Sequence, residues 1–260
     1  MFPISDDNPT LRTPVMTLLI LAVTWGVWIL VQGAGSPAPL ALSVCNLGMV
    51  PGELTRLAPL GEAVPLGIIN GQAMACVVDR EAINWWTPVL SMFLHGSWGH
   101  LIGNSLFFWV FGNNVEDSMG RGRFLAFYLL TGVIAAASHL LVSPTSPVPT
   151  VGASGAISGI MGAYLVLYPR VRVRTYIPPI FFIRFPAWTV LIFWFLSQVV
   201  AGLPALRPFE RDMTGGVAVW AHIGGFVAGV LLVGRFRNPD FLRRRRLGAE
   251  AVSVWQSSSL

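Results

Sequence analysis

Three short motifs gather three of the chain's four histidines with Asn104 and Ser154: His95-Gly-Ser-Trp-Gly-His100-Leu-Ile-Gly-Asn104, Gly152-Ala-Ser154-Gly-Ala156 and Ala221-His222-Ile-Gly-Gly225. A serine is a weak nucleophile until a neighbouring base takes its proton. An imidazole that is neutral near pH 7 is suited to that task, which points to His222 acting on Ser154. Acyl transfer also needs donors aimed at a developing oxyanion. His100 and Asn104 stand four residues apart, so one helix face can present both. Gly152 and the amides at the start of the helix that opens at Ser154 add backbone donors and a positive dipole end. No carboxylate is placed to orient His222: Glu116 and Asp117 fall at the far end of their helix, and Asp212 lies in a loop. The pattern is therefore a Ser–His dyad. The same stretch has a second reading, because Gly155 and Gly159 form a small-xxx-small pair of the kind that lets membrane helices approach closely.

The elements that must position these groups are apolar helices. The chain is 54% hydrophobic and only 11% charged, against about 25% charged in soluble domains, and several apolar runs approach the roughly 20 residues that cross a bilayer. Six helices are expected, over about 14–31, 98–115, 124–142, 154–168, 186–203 and 217–233. The fold class is an all-α membrane protein, a six-helix bundle with a long Gly-, Pro- and Ala-rich outer connection at 33–85 between helices one and two. Residues 1–13 read as a cytoplasmic tail without a cleaved signal peptide's basic start. Residues 14–234 form the membrane domain, with the motifs in 84–234, and 235–260 form a basic cytoplasmic tail.

All 17 basic residues are arginines, and their positions speak for membrane topology rather than nucleic acid. The dense clusters lie at Arg121 and Arg123, at Arg170, Arg172 and Arg174, and in the tail with Arg243 to Arg246. By the positive-inside rule these regions and both termini are cytoplasmic. The tail block is a topology determinant that touches anionic lipid. Helices two, four and six then run inward, which sets His100, Asn104, Ser154 and His222 at one shallow depth. Polar groups in a bilayer are functional candidates by default. Two cysteines without zinc spacing make no metal site, and Cys45 and Cys76 can pair only in an oxidising compartment.

Over roughly 84–234 the chain resembles the rhomboid intramembrane serine proteases, on the three motifs quoted above with Gly229 beyond the third. The resemblance implies a Ser154 nucleophile, a His222 base and an oxyanion site from Asn104, His100 and the Ser154 amide, without metal or cofactor. It implies substrates that are single-span or polytopic membrane proteins, cleaved in or near their transmembrane helices. Helix five and the 5–6 loop would gate and cap substrate entry. The expected location is the cell (inner) membrane, with the site opening outward. Two positions depart from the family: Ser158 stands where many members stack an aromatic ring on the base, and Trp86-Thr87 stands where many have Trp-Arg.

The remaining motif residues read as structural. His95 steadies the outer end of helix two, and Glu116 anchors its inner end. Gly225 and Gly229 let helix six approach helix four. A non-catalytic relative that binds transmembrane clients is the alternative, although such a protein is expected to lose Ser154 or His222. A transporter would show an inverted repeat and broken helices at mid-membrane. A lipase-type nucleophile elbow requires glycine where Ala156 stands.

Overall fold

The order of elements follows from where small, apolar and turn-forming residues fall. In the computed structural model, residues 2–69, 72–79, 83–179, 181–203 and 218–243 are described. Strand β1 (Phe2–Asp6) precedes helix α1 (Val15–Leu30), and the long connection holds α2 (Pro37–Leu47), α3 (Pro51–Thr55), β2 (Ala63–Ile69), β3 (Gln72–Val77) and α4 (Thr87–Leu90). Then come α5 (Trp98–Met119), α6 (Arg121–Val142), α7 (Ser154–Leu167), β4 (Arg172–Ile177), β5 (Phe181–Pro186), α8 (Ala187–Gly202) and α9 (Val219–Phe236).

Helix α7 is the centre. Every residue from Gly155 to Tyr164 is buried, which marks a helix enclosed on all sides. It packs against α5, α6, α8 and α9. Glycine permits the closest of these contacts. A Cβ at Gly225 would fall on the Gly155 carbonyl oxygen, one at Gly229 on that of Gly159, and one at Gly162 on that of Phe226. On the other flank, a Cβ at Gly155 would come within 2.7 Å of the Ala135 methyl, and one at Gly159 would strike Thr131. Where the glycines end, rings fill the wider space. Phe108, Phe111, Phe124, Phe127, Tyr128 and Tyr164 are fully or almost fully buried, with Phe111 and Tyr164 edge to face at 5.0 Å.

By length and composition, α6 and α9 can each cross a bilayer, whereas α1, α7 and α8 are apolar but shorter. Glu116, near the end of α5, accepts from the Met16 and Thr17 amides and the Thr17 hydroxyl at 2.8–3.0 Å. A carboxylate there satisfies donors that α1 leaves open and complements its dipole. Asp117 beside it accepts from the Leu11 amide and the Arg12 Nε, both at 3.0 Å. Gly120, at φ +85°, turns the chain directly from α5 into α6.

Two small sheets depart from the all-helical expectation. The 1–13 tail and the basic 4–5 connection join in a three-stranded antiparallel sheet, β1-β4-β5. The alternation Arg172-Val173-Arg174-Thr175, exposed and buried in turn, is a strand period. The sheet docks on the bundle through Asp6, whose carboxylate accepts from Asn114 Nδ2 at 2.9 Å and from the Tyr164 hydroxyl. In the long connection, β2 and β3 pair as a hairpin, and Cys45 of α2 is disulfide-bonded to Cys76 of β3. Trp85 and Trp86 are exposed there. The 5–6 loop with Asp212, and Arg244 to Arg246 of the tail, lie outside the described residues.

Candidate active site

The chain entering α7 is tied down from outside the bundle. Thr150 exchanges backbone hydrogen bonds with Met49 at 2.8 and 3.0 Å, and the Gly152 amide donates to the Ser91 carbonyl at 2.9 Å. Gly152 sits at φ +131°, where a side chain is strained, and a Cβ would lie 2.7–2.8 Å from the His100 ring atoms Cε1 and Nε2. Only glycine lets the His100 ring lie this close to the backbone two residues before Ser154, the first residue of α7. His100 is fixed in turn by Ser97, which caps α5 and accepts the His100 amide at 3.1 Å.

His222 enters from the first turn of α9, which the glycine contacts draw against α7. Its Nε2 is 2.7 Å from Ser154 Oγ, and its Nδ1 is 2.8 Å from Gln198 Oε1 on α8. An amide oxygen can only accept, so Nδ1 carries the hydrogen and Nε2 keeps its lone pair toward the serine. The Trp194 ring, one helical turn before Gln198, lies 5.8 Å from the His222 ring at a 42° tilt. Trp194 thus sets an aromatic ring beside the His222 imidazole. The Ser158 hydroxyl itself donates back to the Ser154 carbonyl at 2.6 Å. A cavity of about 340 Å³ opens over Ser154 and His222, with His100, Gly152, Met92 and Ala218 also lining it.

Asn104 is held elsewhere. Its Nδ2 donates to His95 Nε2 at 2.9 Å, and among the described residues lining the cavity it has no place. His95 is completely buried. Burial first, and the charge of neighbouring His100 second, push its imidazole down to about 3, so it is a neutral acceptor for the amide. Its backbone is clamped by Gln32, whose Oε1 accepts the His95 amide and whose Nε2 donates to the His95 carbonyl, both at 2.8 Å. The rings of His95 and His100 meet edge on at 5.0 Å. The resulting chain of contacts is Asn104, His95, His100, with His100 alone reaching the cavity.

A family model of the rhomboid domain matches residues 82–238, more than half of the chain. The chain belongs to the rhomboid family. It is similar to rhomboid protease GluP of Bacillus subtilis, 41% identical over 81 residues, 31% of this chain and 15% of that one. It is similar to putative rhomboid protease YdcA of the same organism, 33% identical over 102 residues, 39% of this chain and 45% of the relative. It is also similar to presenilin-associated rhomboid-like protein A, mitochondrial, of Danio rerio, 32% identical over 154 residues, covering 56% and 36% respectively. The chain thus spans less than half the length of each of these curated relatives. As a rhomboid-family chain it is a helical, integral membrane protein.

Gln198, Trp194 and Gln32 are the rhomboid-site residues that the motifs did not point to. A signal for the first was present. Gln198 is the one glutamine in the apolar stretch 187–202, and a polar side chain on such a helix calls for a partner.

Proposed function

We propose that this rhomboid-family chain is an intramembrane serine endopeptidase that cleaves single-span or polytopic membrane proteins within the bilayer. The observation that carries the reading is the 2.7 Å hydrogen bond from Ser154 Oγ to a His222 whose other nitrogen is already engaged. In the first half-reaction the Ser154 hydroxyl proton passes to His222 Nε2 while Oγ bonds to the scissile carbonyl carbon. The oxyanion that forms is met by His100 and by the first amides of α7, which have no side-chain cap. His222 then gives its proton to the departing amine, the C–N bond breaks, and an acyl-enzyme is left on Ser154. Water, deprotonated by His222, hydrolyses that ester in the second half-reaction and restores the serine hydroxyl. Asn104 supports this site through His95 and His100.

The topology we propose has six membrane-crossing helices, α1 and α5 to α9. The Arg-rich ends and both termini face the cytoplasm, and the cavity faces outward from the cell membrane. The Cys45–Cys76 disulfide fits an oxidising outer side. Cleavage of a single-span model substrate in liposomes by wild type and Ser154→Ala tests the assignment. Wild type is expected to cleave and the variant to be inert; equal cleavage would sink it.

A further inference from the structure

We propose that Gln198 is a positioning residue for the base, so that the dyad works as a relay running Gln198–His222–Ser154. The inference rests on the endopeptidase reading above and adds a member that none of the three motifs contains. An imidazole can serve as base through Nε2 only if Nδ1 holds its hydrogen. Among the described residues the acceptor for that hydrogen is Gln198 Oε1, at 2.8 Å. The amide is itself oriented, because its Nε2 donates to Ser197 Oγ at 3.2 Å, leaving the oxygen to face the ring. A reversed amide would offer an N–H to Nδ1, move the hydrogen to Nε2 and take the base away from Ser154. The same acceptor then strengthens its bond as His222 becomes imidazolium in the transition state, since bonds to charged groups are the stronger ones. Trp194 contacts the ring from the same helix face, one turn away, and restricts its rotation.

The arrangement has a geometric consequence. Ser154 and His222 sit on α7 and α9, locked together by glycines, whereas the acceptor sits on α8. The face of α8 at Phe193, Leu196 and Val200 is exposed, at 56%, 53% and 65%. The base is therefore oriented only while α8 lies against α9.

A buried carboxylate that orients a catalytic histidine is worth about 10⁴ in kcat. A neutral amide makes a weaker bond, and Gln198→Met, close in length but without an acceptor, is expected to lower kcat about tenfold to a hundredfold with KM changed less than about threefold. Gln198→Glu keeps an acceptor oxygen and is expected to restore most of the rate. The assay is cleavage of a single-span substrate in proteoliposomes, run beside Ser154→Ala, with thermal unfolding in detergent as a check on folding. The rate of Ser154 labelling by a fluorophosphonate, which needs the base but no helical substrate, should fall in parallel. If Gln198→Met does not fold, Gln198→Leu takes its place. Wild-type kcat in the Met variant, a defect confined to KM, or equal impairment of the Met and Glu variants overturns the inference while leaving the protease reading standing. Cleavage by Ser154→Ala at the wild-type rate instead overturns the protease reading itself.

Discussion

Gly229 of α9 lies so close to the carbonyl oxygen of Gly159 on α7 that a methyl group cannot be placed between them. Gly225 stands in the same relation to Gly155, one turn nearer His222. Overpacking of this kind costs about 1–3 kcal/mol, and a displacement of about 1 Å between reacting groups can cost about 10²-fold in rate. Gly229→Ala is therefore expected to lower the thermal midpoint in detergent and to reduce cleavage about 100-fold. Unchanged activity at unchanged stability would show that α7 and α9 tolerate separation.

The dyad makes a prediction that needs no substrate. A fluorophosphonate should label Ser154 in the wild type and fail to label Ser154→Ala or His222→Ala, because the hydroxyl is unactivated without the imidazole. Gel fluorescence of the purified variants reads the result directly. Full labelling of His222→Ala would require another base.

Asn104→Ala separates two roles. Loss of the amide leaves His95 Nε2 buried without its donor, at a cost of about 1–3 kcal/mol. The variant is therefore expected to unfold at lower temperature and to lose activity along with the placement of His100. An Asn104 that acts only as an oxyanion donor would instead cost about 10²–10³ in kcat with stability intact. Unfolding curves and kcat on the same preparation distinguish the outcomes.

Glu116→Ala removes an acceptor that serves three donors at the start of α1. The expected loss is roughly 1.5–3 kcal/mol, seen as a lower thermal midpoint, with kcat of the surviving folded protein unchanged. A kcat defect in fully folded Glu116→Ala would show that α1 reaches the site by a route other than stability.

The order and extent of the main helices were legible because long apolar runs mark them. α5 to α9 begin and end within about four residues of where composition places them. The meeting of Ser154 with His222 was legible because each opens a helix that must run in the same direction. The strands were not, because β1 pairs with a partner far along the chain and β2 and β3 show no clean alternation of apolar and polar residues; only Arg172 to Thr175 carried a visible period. Gln198 carries no charge to mark it, yet an uncharged amide on an apolar helix accepts from His222 Nδ1 as a carboxylate would. Helical spacing sets Asn104 one turn after His100. Spacing says nothing about His95, which lies outside the helix and takes the amide.

Pro186 ends β5 and Ala187 begins α8 with no residue between them. The foot of α8, at Ala187, Val190 and Leu191, is buried in the bundle, and its next buried residue is Gly202. Mechanically this is a lever: its fulcrum is the three-stranded sheet, its long arm carries Gln198, and its load is the imidazole. The amino-terminal strand is woven into that fulcrum through its pairing with β4. Residues that do not line the cavity are thus paired into the sheet that leads directly into α8. Deleting residues 2–6 should be felt at Ser154, at the opposite end of α7.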